Sequence, residues 1–372
     1  METITEGKIT IKIPKGDIRK KDAVFYNPEM RLNRDISILA LKAFKDMTKR
    51  KITAADALSS SGIRTLRIAK ECANIEKVMI NDMNPTAIEI AEKTAKDNNI
   101  ENAEFSVEDA NVFLSRNKNH LDYIDIDPFG SPIYFLDSCA RAASGRSMIG
   151  ITATDTAPLS GTYPKTCIRR YGATPLREDI KHEIGLRILI ASIVRAFSRH
   201  NKSFVPMISY SKIHYFRIMG LSTSSTGRAG KSAETIGYAH YCKNCGNRML
   251  SKEIETTSCA ICNKDMTTAG PLWTGPINSP LFINKMIDEN DFDDKKLSAF
   301  LETLEKESHI TQPFYDLHQI CKKNHLEIPR REKLFEELKK QGYKAEKTHH
   351  EPTGFKTDAG YKELLDIIKK LV

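Results

Sequence analysis

The chain has 372 residues, 40% of them hydrophobic and 28% charged, which is the balance of a folded globular protein long enough for two domains with separate cores. Its 57 Lys plus Arg against 48 Asp plus Glu leave a formal charge of +9, which favours an anionic partner such as nucleic acid without identifying one. No run approaches the roughly 20 apolar residues that span a bilayer, and Lys8, Lys12, Lys15 and Asp17 interrupt any apolar leader. No membrane association is expected, and the expected compartment is the cytoplasm.

Residues 8–13, KITIKI, alternate polar and apolar as an edge strand or hairpin arm does. A loop, FYNPEMRLNRD, is expected from Phe25 to Asp35, with Arg31 and Arg34 just ahead of a helix that places Ile36, Leu39, Ala40 and Ala43 on one face. From Ile52 a strand, ITAADAL, runs into the small-residue turn SSSG and a helix. Such a turn sets backbone amides and the positive end of the helix dipole beside a ligand. It is not G-x-G-x-x-G, so a dinucleotide fingerprint is absent. Asp56 at the strand end and Arg64 in the first helical turn are the polar groups able to reach a ligand.

The next strand, KVMIND, ends at Asp82, where folds of this kind accept ribose hydroxyls. Asn84 and Pro85 then cap and open a helix over 85–98. A third strand, AEFSV at 103–107, leads to Asp109 and Ala110, with Asp109 placed to accept from an adenine amino group. The fourth, LDYIDI from Leu121, meets Pro128, which has no amide to extend a central strand. Asp127, the Pro128 carbonyl and the Phe129 ring therefore face the cleft beyond the strand ends, with Asp125 on the same strand face as a polar support. Strands near 147–155 and from Phe204, with a long helix near 176–198 between them, continue the alternation. The pattern is that of a doubly wound α/β sheet holding a nucleoside-bearing ligand.

The Ser/Gly/Thr-rich, basic stretch 222–237 marks a domain boundary or mobile arm. Beyond it, Cys242 and Cys245 form one C-x2-C pair and Cys259 and Cys262 a second, a spacing that makes a closed, structural zinc site of four thiolates. Helices are expected near 279–288, 295–306, 313–324 and 330–340. The strand-like GYKAEK and GFKT segments and an amphipathic helix through Leu364, Leu365, Ile368 and Leu371 complete a tail that resembles a winged helix.

The strand-end acids and the DPFG element at 127–130 resemble a class I S-adenosylmethionine-dependent methyltransferase acting on exocyclic amines. Phe129 stands where such motifs carry a second proline and Gly130 where they carry an aromatic residue. With FYNPEMRLNRD, CIRRYG at 167–172 and the cysteine pairs, nearly the whole chain is similar to the tRNA guanine-26 N2-dimethyltransferase family. The resemblance implies a Rossmann-like methyltransferase domain over 1–223 and a C-terminal α+β domain over 224–372 that carries the zinc module and grips RNA. It implies S-adenosylmethionine bound by Arg34, Arg64, Asp82, Asp109 and Ala110, beside Asp56, and guanine held by Asp127, Pro128 and Phe129. The partner implied is tRNA, and no obligate protein partner is inferred. A DNA or other RNA amine methyltransferase, or a zinc-containing nucleic-acid-binding protein without catalysis, remain the alternatives on the residues alone.

Overall fold

The computed structural model describes residues 2–13, 26–212, 214–254 and 258–372. The chain opens with an antiparallel hairpin, β1 (Glu2–Glu6) and β2 (Ile9–Ile13), whose Ile9, Ile11 and Ile13 are buried while Thr10 and Lys12 face water. The loop expected from Phe25 begins outside the described residues and is shorter than its composition suggests. Asn27 caps a single 3-10 turn, Pro28–Met30, which passes directly into α1 (Arg31–Thr48). Arg31 and Arg34 thus belong to the first turn of the helix and do not precede it.

The expected alternation follows: β3 (Ile52–Asp56), α2 (Ile63–Glu71), β4 (Ile75–Asn81), α3 (Pro85–Asp97), β5 (Ala103–Ser106), α4 (Ala110–Arg116) and β6 (Leu121–Ile126). Asp82 and Asp127 are the first residues beyond their strands. Then come α5 (Leu136–Ala142), β7 (Ala143–Ala153), two short helices that periodicity did not reveal, α6 (Thr156–Leu159) and α7 (Pro164–Tyr171), the long α8 (Lys181–Arg199), β8 (Lys202–Lys212) and β9 (Tyr215–Ser224). The sheet order is β5-β4-β3-β6-β7-β9-β8, parallel throughout except β9, which runs antiparallel to both its neighbours. α8 covers one face over a core that includes Ile124, Ile149, Leu189, Phe197 and Phe216. α1 covers the other, with Ile38, Phe44, Tyr123 and Met219 beneath it.

No strand was expected over 215–221, where Arg217, a residue type found mostly on surfaces, stands near the centre of β9. Arg217 is instead fully buried, its charge matched by an acid on β6. The stretch 222–237 also departs from expectation: it forms the end of β9, then α9 (Thr226–Ala233), then the start of β10 (Ile236–Tyr241). Ser225 caps α9, and Ala229 and Ser232 are buried where that helix packs on α8 and β8, so the segment has a tertiary footing that Ser/Gly composition alone conceals.

β10 pairs with β11 (Arg248–Ser251) and β12 (Thr267–Trp273) in a small antiparallel sheet that rests on α8. α10 (Pro280–Asp288) lies against α1 and α11 (Lys295–Ser308) against α10. The tail holds β13 (Tyr315–Asp316), α12 (Leu317–Lys323), α13 (Arg331–Lys340), β14 (Ala345–Lys347), β15 (Gly354–Thr357) and α14 (Tyr361–Leu371), with sheet order β13-β15-β14. This is the winged-helix-like arrangement expected, and it shares one core with the cysteine module. No helix among the described residues is long and apolar enough to cross a membrane.

Candidate active site

Because β5, β4, β3 and β6 are adjacent and parallel, the acids at or just past their carboxyl ends form a row along one edge of the sheet, in the order Asp109, Asp82, Asp56, Asp127. Neighbouring strands lie about 4.8 Å apart, so the row extends over about 14 Å, long enough to line a nucleoside. Asp82 accepts from the Ser60 amide (2.7 Å) and the Asn84 amide (2.9 Å), which ties the turn after β3 to the start of α3. Gly62 in that turn has φ +71°, and a Cβ placed on it would stand 2.9 Å from the Ala91 side chain of α3. This close approach needs glycine, although the turn lacks the usual glycine-rich pattern.

Asp109 caps α4, accepting from the Asn111 (2.8 Å) and Val112 (3.2 Å) amides, and Ala110 behind it is buried. An ionised carboxylate has about four acceptor sites, so Asp82 and Asp109 each retain capacity for a ligand hydroxyl or amine. Met83, Val107 and Val112 are exposed beside these two acids and offer an apolar wall for a flat ring. Their signal in the sequence was apolar residues past the strand ends, where no core remains to receive them.

At the other end of the row stands a buried cluster of two arginines and three aspartates. Asp125, 0% exposed, takes both Arg217 terminal nitrogens (3.0 and 2.5 Å) and the Tyr123 hydroxyl. Burial raises its pKa, but the Arg217 and Arg64 charges outweigh that and the net shift is downward. Asp56 is pushed up to about 8, by burial first and then by the charge of Asp125. Arg64 and Arg217 thus face three carboxylates, of which Asp56 is the one whose hold on its proton is raised.

Arg64 joins its members. It donates to Asn33 Oδ1 (2.7 Å), Ser37 Oγ (3.0 Å) and Asp127 Oδ2, and faces Asp125 at 3.5 Å and Asp56 at 3.7 Å. The structure thus brings Asp56, Arg64 and Asp127 into one group, with Asp82 one strand away and Asp109 two. Arg34 is turned elsewhere: both arms of its guanidinium hold Glu6 of the hairpin (2.6 and 2.5 Å). Glu6 also accepts from Arg67 (2.8 Å) and Tyr26 (2.8 Å). Burial raises its pKa, yet Arg34, Tyr26 and Arg67 bring it down to about 2.

Beyond β6 the DPFG turn is fastened to the segment after β7. The Gly130 amide donates to Thr154 Oγ1 (2.6 Å), and the Thr154 amide to the Gly130 carbonyl (3.0 Å). Ser131 and Tyr171 hydroxyls meet at 2.7 Å, and Tyr171 also donates to Asp155 (2.6 Å), whose other oxygen holds Arg170 (3.0 Å). Thr154 and Asp155 were missed by sequence reasoning, since one hydroxyl and one acid after a strand carry no spacing signal. The Asp127 side chain is 15% exposed, while Phe129 is 79% exposed, a large ring held out over the cleft by a braced turn.

The four paired cysteines converge, with all four sulfurs within 4.8 Å of one another. Cys242 and Cys262 sulfurs are 3.4 Å apart, and those of Cys245 and Cys259 3.6 Å. Tetrahedral zinc with ~2.3 Å bonds requires sulfurs about 3.8 Å apart, so the residues fit the metal, and four thiolates leave no open position. Each pair is wrapped in the same turn, closed by Gly246 N to Cys242 O (2.9 Å) and Asn263 N to Cys259 O (2.8 Å). Both closing residues have positive φ. The tail docks there: Asn324 (2.9 Å) and Tyr361 donate to the Cys245 carbonyl, and Lys323 to that of Lys243 (2.7 Å).

A seven-stranded sheet with a lone antiparallel strand beside its edge, and a row of acids along one end, defines the class: a Rossmann-like S-adenosylmethionine-dependent methyltransferase. The family model described as N2,N2-dimethylguanosine tRNA methyltransferase matches residues 3–369, and the chain belongs to that family. The tRNA (guanine(26)-N(2))-dimethyltransferase of Methanobrevibacter smithii is 38% identical, covering 100% of this chain and 98% of its own. The tRNA (guanine(26)-N(2)/guanine(27)-N(2))-dimethyltransferase of Aquifex aeolicus is 34% identical over 100% of this chain and 96% of its own. Trm1 from Pyrococcus horikoshii, solved as a complex with S-adenosyl-L-methionine, superposes with a TM-score of 0.88 at 32% identity, covering 99% of this chain and 100% of that one.

Proposed function

We propose that the chain transfers methyl groups to the exocyclic N2 of guanine 26 in tRNA, giving N2-methyl- and N2,N2-dimethylguanosine. The observation that carries the chemistry is a carboxylate, Asp127, clamped from behind by Arg64 at the rim of β6, with Phe129 exposed beside it. S-adenosylmethionine, when bound, supplies an electrophilic methyl carbon. Asp82 and Asp109 are suited to its ribose and adenine, with Ala110, Met83, Val107 and Val112 lining the ring.

The lone pair of a guanine amine is delocalised into the ring and is a poor nucleophile until its geometry changes. Arg64 takes Asp127 Oδ2, which leaves Oδ1 as an acceptor for the substrate amine. Asp127 and the Pro128 carbonyl accept the two amine N–H bonds and turn the nitrogen toward the methyl carbon. As the N–C bond forms and the S–C bond breaks, Asp127 takes the released proton. Phe129 stacks on the exposed base, a contact worth about 1–3 kcal/mol.

Arg34 and Asp56 complete the cofactor side, Arg34 by holding the hairpin through Glu6 and Asp56 by backing Arg64. We assign transfer to residues 1–223 and tRNA grip, with structural zinc, to 224–372, and place the enzyme in the cytoplasm with its tRNA. The test is nucleoside mass spectrometry of an unmodified tRNA transcript incubated with the protein and S-adenosylmethionine. N2-methylated guanosine mapped to residue 26 is expected; methylation elsewhere only, or none, refutes the assignment.

A further inference from the structure

We propose that the basic pocket between α7, α8 and the turn after β6 holds the sugar-phosphate backbone of tRNA on either side of the target guanosine. The inference rests on the functional reading above and locates a phosphate site for it. The cavity, of about 480 Å³, is lined by Arg169, Arg170, Arg195 and Arg199 against a single carboxylate, Asp137. Arg199 pairs with Asp137 (2.9 Å) and Arg170 with Asp155 (3.0 Å). Among the described residues, Arg169 and Arg195 form no ion pair, so positive charge is in excess.

Arg169 and Arg199 are exposed at the mouth of the pocket, while Arg170 and Arg195 are partly buried in its wall. Arg195 donates to the Tyr171 carbonyl (2.6 Å) and Ser192 (3.1 Å), which fixes its guanidinium at the pocket wall. Burial, and then the Arg199 charge, push its pKa below that of a free arginine, a repulsion that a bound anion relieves. The Arg170 Nε is buried without a hydrogen-bond partner. A fork of guanidinium donors matches the non-bridging oxygens of a phosphodiester better than ammonium groups do.

Position selects the occupant. Tyr171 forms part of the pocket, and its hydroxyl meets Ser131, four residues from Asp127. Tyr134, Tyr163 and Ile168 are exposed in the same segments, as a surface for nucleotides requires. A base drawn out of folded RNA costs unstacking energy, and contacts to its flanking phosphates offset that cost where it arises.

The test uses the full chain and an unmodified tRNA transcript. Arg169→Ala/Arg199→Ala is expected to raise the tRNA Kd roughly tenfold and to reduce the slope of log Kd against log salt by about one to two. S-adenosylmethionine affinity, read by calorimetry, stays at the wild-type value, which also shows the variant to be folded. Lys77→Ala/Lys96→Ala removes the same charge elsewhere and should leave the slope near wild type. Arg169→Lys/Arg199→Lys should restore the slope while recovering only part of the affinity.

In a second arm, tRNA with uncharged methylphosphonate linkages flanking residue 26 should weaken binding to wild type, with little further loss in the alanine variant. Equal losses from the pocket and control variants, or a methylphosphonate effect of the same size on wild type and the alanine variant, overturn the proposal. A wild type that transfers no methyl group to tRNA overturns the functional reading itself, and the pocket's assignment with it.

Discussion

Asp127→Asn is the substitution whose consequences follow most directly from the geometry. Asparagine keeps one acceptor oxygen, and Arg64, which presents only donors, will take it. The side-chain amide then points its N–H groups at the guanine amine, donor against donor. One charge-assisted hydrogen bond is lost, along with the anion that stabilises developing positive charge, together about 3–4 kcal/mol and a 10²- to 10³-fold fall in single-turnover rate. The cluster also loses the Asp127 charge, one of the causes that raise the Asp56 pKa, so Asp56 should shed its proton more readily and limit the cost in stability. The assay is rapid-quench methyl transfer to a tRNA transcript, with cofactor affinity by calorimetry alongside. A rate within about threefold of wild type, or loss of cofactor binding as large as the loss of rate, would refute the assignment of Asp127.

Three further outcomes are expected. Glu6→Gln breaks a buried group that holds Arg34 and Arg67, and should cost about 3–5 kcal/mol in unfolding free energy. Because the folded pKa of Glu6, about 2, lies below its ordinary 4.5, its stabilisation is complete above pH 4.5 and is lost as pH falls toward 2. The variant should therefore show a flatter acid limb in thermal melts, and an unchanged limb would contradict the coupling. Asp56 has the opposite sign: its folded pKa, about 8, lies above 3.8, so its contribution is present below pH 4 and declines as pH rises to 8. Asp56→Asn should narrow the difference between urea stabilities at pH 5 and pH 8, and an undiminished difference would count against a buried proton there. Cys259→Ser should lower zinc content by atomic absorption and open the tail to limited proteolysis, while an intact tail without metal would show that zinc does not fasten it.

Much of this architecture was legible because parallel strands end in acids at a regular interval, and because two C-x2-C pairs have few structural uses. β9 was not, since an arginine at a strand centre reads as exposed until its partner is known. Arg217 and Asp125 are 92 residues apart, and only the sheet order brings them together. The same limit hid the Glu6–Arg34 pair and the Thr154 and Asp155 braces: each is a single polar residue whose role comes from a neighbour distant in sequence. Asp127 was visible because proline ended its strand, whereas the guanidinium that aims it could be placed near a ligand but not behind the acid.

The docking of Tyr361 and Asn324 onto the Cys245 carbonyl sets an order on biosynthesis. A nascent chain can pair its hairpin with α1 and α2 early, yet the knuckle stays uncovered until residue 361 has left the ribosome. Until then the Cys245 carbonyl lacks its two side-chain donors, and the knuckle must hold its turn without the tail.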